Sequence, residues 1–244
     1  MVERIPTLVP GLDEIISGGL PKGRVILISG TPGTGKSILS FQMLYNNALK
    51  GKKCLYLSLE QNTERILSQM QQFGMDHKKV AKNLRLVTLD IDAPDTLVFI
   101  LKEFQENKHG FDLACLDSLD AISSNPTSIE ELSRFDLLSG SDRMVPIQPD
   151  VANINRLKIK KIFKAVGASG ITTLLTSERV ENLPGLTRDS ISEFLSDGII
   201  LLDLKDIAKK TVRSIKVRKM RETKHSMDSF LLEIGDRGIA VKKE

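Results

Sequence analysis

Eight residues, "GTPGTGKS" from Gly30 to Ser37, combine the residue types and spacing that bind phosphate. The string satisfies G-x-x-x-x-G-K-[ST]. Glycines in such a loop let the backbone wrap phosphoryl oxygens, while N–H groups and a helix N-terminus supply positive potential. Gly30, Thr31, Pro32, Gly33, Thr34 and Gly35 would form the wrap. Lys36 would reach the β- and γ-phosphates, the Ser37 hydroxyl would ligate Mg²⁺, and the backbone at Ile38 would lie beside the α-phosphate. By average composition the string arises by accident in about one chain in a hundred of this length.

Three carboxylates stand where they could join that chemistry. Asp117 ends the apolar run "FDLACLD", at the edge where a carboxylate can hold Mg²⁺ or its water. A strand-terminating Asp in a turn is the plainer alternative. Glu60 ends "CLYLSLE" in the same way, and could orient and partly deprotonate an attacking water. It could instead cap the helix that opens at Asn62. Glu178 closes "TSE" (Thr176 to Glu178), which could sense a γ-phosphate or merely turn a strand into a loop.

The elements needed to place these groups are legible. "RVILISG" is a short β-branched run ending in glycine and reads as a buried parallel strand. "ILSFQMLYNNALK" reads as a helix stopping at Gly51, and "KCLYLSLE" as the next strand. "NTERILSQMQQFG" is a helix opened by Asn62 or Thr63 and closed by Gly74. "LRLVTLD" is a third strand, "PDTLVFILKEFQ" a helix with Pro94 in its first turn, and "FDLACLDS" a fourth strand. "INRLKIKKIFKAVG" reads as a helix and "ITTLLTSE" as a fifth strand. The alternation predicts an α/β fold, a mostly parallel sheet with helices on both faces.

From Asp197 the rhythm changes. "DGIILLDL", "TVRSIKVRKMR", "DSFLLEI" and "GIAVKKE" read as strands with no helix between them, an antiparallel extension of the same sheet. Residues 1–244 are therefore expected to form a single domain. The stretch 119–152 is too irregular to place, apart from a short helix around "SIEELSRF"; loops this long are usually functional or mobile.

Composition bounds the function. At 41% hydrophobic and 27% charged residues the chain reads as an ordinary soluble protein. Its net charge of +4 is below that of a dedicated nucleic-acid binder. No apolar run approaches the roughly 18–20 residues that span a bilayer, and the start lacks a secretory pattern. Cys54 and Cys115 fall in apolar strands as reduced core residues, so a cytoplasmic location is expected. His77 and His109 read as ordinary surface residues beside helix ends.

With these residues in place, the chain resembles a single-domain KaiC-like ATPase of the RecA superfamily along nearly its whole length. The resemblance runs through "PGLDEIISGGLPKG", "GTPGTGKS", Glu60, "CLDSL", "GITTLLTSE", "FLSDGIILL", "VRKMRETKH" and "FLLEIGDRGIAV". It implies a RecA-like P-loop core assembling as a homo-oligomeric ring, usually of six, with ATP and Mg²⁺ between neighbours. It also implies that Lys219 and Arg221 contact the γ-phosphate of the adjacent subunit's ATP, with His225 and Asp236 near its ribose or base. A cation delivered across a boundary in this way is worth roughly 10³–10⁵ in rate in favourable systems. Charged residues that keep an edge strand soluble are the competing reading.

Two positions depart from the family. Gln61 stands where a second glutamate is common; it can hold a water but cannot take its proton, so slow hydrolysis is expected. Glu222 replaces a common glycine and is expected to pair with one of the two cations. The leading reading is an oligomeric ATP-binding switch or slow ATPase acting with a protein partner the sequence does not name. One alternative is a recombinase-like ATPase on single-stranded DNA. Against it, the long loop carries acids as well as bases, and the segment after Glu178 is neither glycine-rich nor strongly basic. The other is an autokinase, in which a Ser or Thr of that loop replaces water.

Overall fold

The computed structural model describes residues 2–93, 95–125, 151–180, 185–207 and 210–242. A small antiparallel pair, β1 (Arg4–Ile5) and β2 (Leu20–Pro21), brackets helix α1 (Leu12–Ile15). Then come β3 (Val25–Gly30), α2 (Lys36–Leu49), β4 (Cys54–Ser58), α3 (Thr63–Gln72), β5 (Leu84–Thr88), α4 (Thr96–Glu106), β6 (Leu113–Asp117) and α5 (Leu119–Ser124). After them lie α6 (Val151–Ala168), β7 (Thr172–Glu178), α7 (Ser192–Leu195), β8 (Gly198–Ile207), β9 (Lys210–Met220), β10 (Ser229–Gly235) and β11 (Gly238–Lys242). Pro94 and the helix expected around "SIEELSRF" lie outside the described residues.

Nine strands form one sheet in the order β11-β10-β9-β8-β3-β7-β6-β4-β5. Neighbours from β5 to β8 are parallel, and those from β8 to β11 are antiparallel. This is the expected α/β architecture, with one correction. The strand "DGIILLDL" belongs to both halves, because β8 runs parallel beside β3 and antiparallel beside β9. Its apolar run explains the position: a strand flanked on both sides and covered on both faces cannot alternate with polar residues.

The pleat sorts successive side chains of β3 to two cores. Ile26 and Ile28 join the core that also takes residues of α1, α2 and α3, while Val25 and Leu27 join the one that takes residues of α4, α5 and α6. Fully burying each of these side chains contributes about 1.5–3 kcal/mol, which fixes the register strongly. A slip of one residue would move all four to the wrong face. The first core also takes Ile215, Val217, Leu232 and Ile239 from the antiparallel strands, so those strands cover α2 as well as extending the sheet.

Local signals end the elements where expected. Gly51 and Gly74 follow α2 and α3 with φ of 87° and 70°, the left-handed stop available to glycine. The Asn62 side chain accepts the N–H of Arg65 at 3.0 Å, so Asn62 and not Glu60 caps α3. Cys54 and Cys115 are buried and unpaired, and burial pushes the Cys54 thiol up to about 12. His77 is half-buried, its Nε2 lying 3.1 Å from the Leu84 carbonyl oxygen, whereas His109 is exposed. Among the described residues no helix is long and apolar enough to cross a membrane.

Candidate functional site

Strand β3 delivers the chain to the phosphate-type loop at the carboxyl edge of the parallel strands. Gly30 is required there: a Cβ would fall 2.4 Å from the Leu202 carbonyl oxygen of β8 and 2.8 Å from Thr34 Oγ1. Gly35, at φ 101°, turns the chain into α2, and no side chain caps that helix. Its first N–H groups are therefore open to an anion. Thr34 Oγ1 donates to the Thr31 carbonyl at 2.8 Å and braces the loop from inside, both residues being buried.

The Lys36 ammonium donates to the carbonyls of Gly30 at 2.9 Å and Thr31 at 3.2 Å. Burial lowers its pKa, opposed by the field of Glu178, Asp117, Asp120 and Glu60. A cation held by backbone dipoles in a ring of carboxylates is poised to exchange those weak partners for phosphate oxygens.

Asp117 ends β6, buried at 4% exposure. Its Oδ2 accepts the Tyr56 hydroxyl at 2.5 Å and its Oδ1 accepts Thr176 Oγ1 at 2.5 Å. Burial, then the charge of Asp117, pushes the Tyr56 hydroxyl well above its ordinary pKa, so it stays a donor; the same hydroxyl interacts with the Ser37 side chain. Glu60 lies two residues beyond β4 and accepts a hydrogen bond from Ser118 Oγ. Gln61 is fixed by its main chain, its N–H donating to Ser58 Oγ at 3.0 Å and its carbonyl accepting from that hydroxyl at 2.9 Å. Its side-chain Oε1 is buried without a hydrogen-bond partner. An orphaned acceptor beside such a loop is a ready place for a water.

Glu178 closes β7, paired with Gly30 across the parallel ladder. Its N–H donates to Asp120 Oδ2 at 2.5 Å, and its carboxylate lies 3.7 Å from Arg188 Nη1. One cavity of about 640 Å³ gathers Lys36, Ser37, Ile38, Glu60, Asp117 and Glu178 with the loop glycines Gly33 and Gly35 and with Pro32. It continues past the loop to Phe73, Gln72 and Ile234, an apolar and amide-lined annex. Arg213 of β9 also reaches it, donating from Nε to the Gly33 carbonyl at 3.1 Å. Sequence reasoning missed Arg213 and Phe73. The signal for Arg213 was present in the hairpin register, because the early residues of β9 must lie at the carboxyl edge.

Lys219, Arg221, His225 and Asp236 do not line this cavity. Lys219 pairs with Ile199 in β8, and Ile199 in turn stands beside Leu27, near the amino edge. The Arg221 N–H reaches Asp197, one residue before β8 begins. These positions lie roughly 10–17 Å along the sheet from the Gly30 level. The Lys219 ammonium donates to the Ser196 carbonyl at 2.6 Å, and Arg221 pairs with Asp197 at 3.2 Å.

Glu222 pairs with Arg24 at 2.6 Å rather than with Lys219 or Arg221, correcting the expected pairing. At φ 57° the chain turns there through the left-handed region, a conformation that a glycine adopts freely. His225 lines a separate cavity of about 970 Å³ with Lys205, Lys224 and Asp228. Asp236 lies past the other end of β10, roughly 20 Å away along the strand. Within one chain the structure does not bring His225 and Asp236 together.

Comparison with known proteins bears on the family and the fold. A family model described as the KaiC ATPase matches residues 5–137 and 139–244. A UPF0273 protein of Aeropyrum pernix is 30% identical over 99% of this chain and 94% of its own length. A UPF0273 protein of Pyrococcus furiosus is 34% identical over the same shares. The circadian clock oscillator protein KaiC of Synechococcus elongatus is 30% identical over 98% of this chain, which spans only 44% of that protein. Among solved structures, a KaiC-like protein of Pyrococcus horikoshii OT3 superposes with a TM-score of 0.80 at 30% identity, covering 99% of both chains. The loop, the strand-end carboxylates, the doubly flanked β8 and these matches lead to one statement: the chain belongs to the KaiC ATPase family.

Proposed function

We propose that this protein binds ATP with Mg²⁺ at the Gly30–Ser37 loop and hydrolyses it slowly, each site being completed by the neighbouring copy in a closed ring. The observation that carries the reading is the Lys36 ammonium, which among the described residues is held by the Gly30 and Thr31 carbonyls alone and lies in the field of four carboxylates. The open N–H groups of α2 would take the phosphates, and Lys36 would leave the two carbonyls for β- and γ-oxygens. The annex at Phe73, Gln72 and Ile234 offers room for the nucleoside.

The donor set suits Mg²⁺. Ser37 and Asp117 both adjoin the Tyr56 hydroxyl and offer hard oxygen ligands. Among the described residues no cluster of three or more His, Cys, Asp or Glu could hold a metal alone, which fits an ion completed by phosphate and water. When bound, Mg²⁺ would neutralise charge on the β- and γ-phosphates. Asp117 would hold its side of the site through the fixed orientation that Tyr56 and Thr176 impose.

Glu60 would orient the attacking water and take its proton, after which the bond from the γ-phosphorus to the β–γ bridging oxygen breaks and leaves ADP and phosphate. Gln61 would hold water through its free Oε1 without accepting a proton, consistent with slow turnover. Lys219 and Arg221 stand too far along the sheet to serve their own γ-phosphate, which supports action on a neighbour's. Asp236, on the loop side of β10, would approach the nucleotide of its own subunit, and His225 that of the next.

Phosphate release measured with ATP and Mg²⁺, for the native protein and for Lys36→Ala, tests this. Turnover that needs Mg²⁺ and disappears in the variant supports the reading. Nucleotide binding and turnover unchanged by Lys36→Ala would overturn it.

A further inference from the structure

Asp120, on the first turn of α5, is buried at 5% exposure on the far side of the Glu178 backbone from the loop. Its Oδ2 accepts the Glu178 N–H at 2.5 Å and its Oδ1 accepts Ser177 Oγ at 3.3 Å. The next N–H along the chain, that of Arg179, donates to the Gly30 carbonyl at 3.2 Å, and that carbonyl also accepts the Lys36 ammonium. A continuous series of contacts thus runs from Asp120 through the end of β7 to Lys36.

We propose that Asp120 is a positioning residue for the phosphate site: it fixes where β7 ends against the loop, and so sets the placement of both Glu178 and Lys36. This rests on the nucleotide-binding reading above, which counts Asp120 only among the carboxylates around Lys36 and gives it no role of its own.

Three features favour positioning over simple packing. Asp120 meets N–H and O–H donors and has no ion-pair partner among the salt bridges of the described residues. The charged groups that shape its field are Glu178 of the same strand end and Asp189 of the following loop, both of which disfavour its ionisation. Lys36 feels Asp120 from the facing helix. Burial and these carboxylates raise its pKa to about 6, so the carboxylate is held in place against its own ionisation preference. Buried carboxylates retained under such opposition cluster at functional sites.

The side chain also links the strand end to α5. The Asp120 carbonyl accepts Ser124 Oγ at 2.6 Å, which keeps the short helix closed over the bond to Glu178. An amide at this position can accept only one of the two donors, and its own NH₂ would meet the other.

The test compares native protein, Asp120→Asn and Ser177→Ala for nucleotide affinity, kcat and KM across pH 5–8. Asp120→Asn should keep the fold and bind nucleotide within a few-fold of native. Its kcat should fall on the order of ten- to a hundred-fold, as expected when reacting groups shift by a fraction of an ångström to an ångström. Native kcat should decline on the acid side of about 6, and the variant should lose that limb. Ser177→Ala, which leaves the Glu178 bond intact, should lower kcat only a few-fold.

If native protein turns over ATP while Asp120→Asn keeps both kcat and the acid limb, the inference fails and the nucleotide site stands. If native protein neither binds nor turns over ATP, the site reading itself fails. A misfolded Asp120→Asn, seen by circular dichroism, leaves the native acid limb and the Ser177→Ala ratio to decide. An absent acid limb, or a Ser177→Ala loss as large as that of Lys36→Ala, overturns the inference.

Discussion

The two edges of the parallel strands carry cations in opposite states. At the carboxyl edge Lys36 is half-buried, held by two carbonyls, and in the field of carboxylates, none of which forms a salt bridge with it among the described residues. At the amino edge the cations are satisfied: Arg221 by Asp197, Arg24 by Glu222, and Lys219 by the Ser196 carbonyl. The first edge holds its charge ready for a ligand. The second must exchange partners before it can touch one. Catalysis across a subunit boundary would therefore include breaking the Arg221–Asp197 pair, an exposed interaction worth at most about 1 kcal/mol.

The largest expected effect tests whether the edges work together. Lys36→Ala and Arg221→Ala should each reduce turnover by about 10³-fold or more alone. Mixed in equal amounts, about a quarter of the interfaces in a random ring would join an intact loop to an intact Arg221. Recovery of a comparable share of native turnover supports a shared site. Inactive mixed rings, with native rings active, would place Arg221 within its own subunit or in a purely structural role.

A smaller effect is expected at Glu60. Glu60→Gln keeps the acceptor for Ser118 but cannot take a proton, and should lower kcat by about 10²–10⁴ with little change in nucleotide affinity. Equal kcat in the two proteins would move the base elsewhere.

Stability offers a third comparison. A raised carboxylate pKa means that the folded state binds the proton more tightly than the unfolded chain. The contribution of Asp120 is fully favourable below 3.8 and is lost as pH rises through about 6. That difference of about two units amounts to roughly 3 kcal/mol at neutral pH. Asp120→Asn should recover part of it, about 1–2 kcal/mol after one lost acceptor, and flatten the pH dependence of Tm between 4 and 6. The same variant is expected to be slower, so stability and activity should move in opposite directions. An unchanged Tm profile would show that Asp120 does not titrate in this range.

The smallest effect concerns Glu222. Glu222→Gly removes an exposed pair with Arg24 but relieves a left-handed backbone at φ 57°. The two terms, each about 1 kcal/mol or less, should nearly cancel in thermal melts. A large loss would mean that the amino-edge ion pairs hold the turn together.

What the sequence made legible was local. The loop, the strand-end carboxylates and the β/α alternation depend on short-range types and spacing, and residues 30–37 could be singled out from eight letters. What it hid was long-range. Glu222 finds Arg24 across 198 positions, and Asp120 finds the Glu178 N–H across 58. Neither partner follows from periodicity. Arg213 was hidden differently: it shares a strand with Lys219, and only the register places one at the loop and the other at the opposite edge.

The tight seam between Gly30 and Leu202 has a consequence for dissecting the protein. Strand β8 abuts the first glycine of the loop so closely that a methyl group would not fit, and Ile215, Val217, Leu232 and Ile239 roof the helix that follows. The C-terminal strands should therefore not behave as a detachable module. A fragment ending before Gly198 would strip one flank from β3 and bare an oily face of α2, so it should aggregate rather than behave as a minimal nucleotide-binding unit. Chimeras within this family should take their crossover points outside that seam.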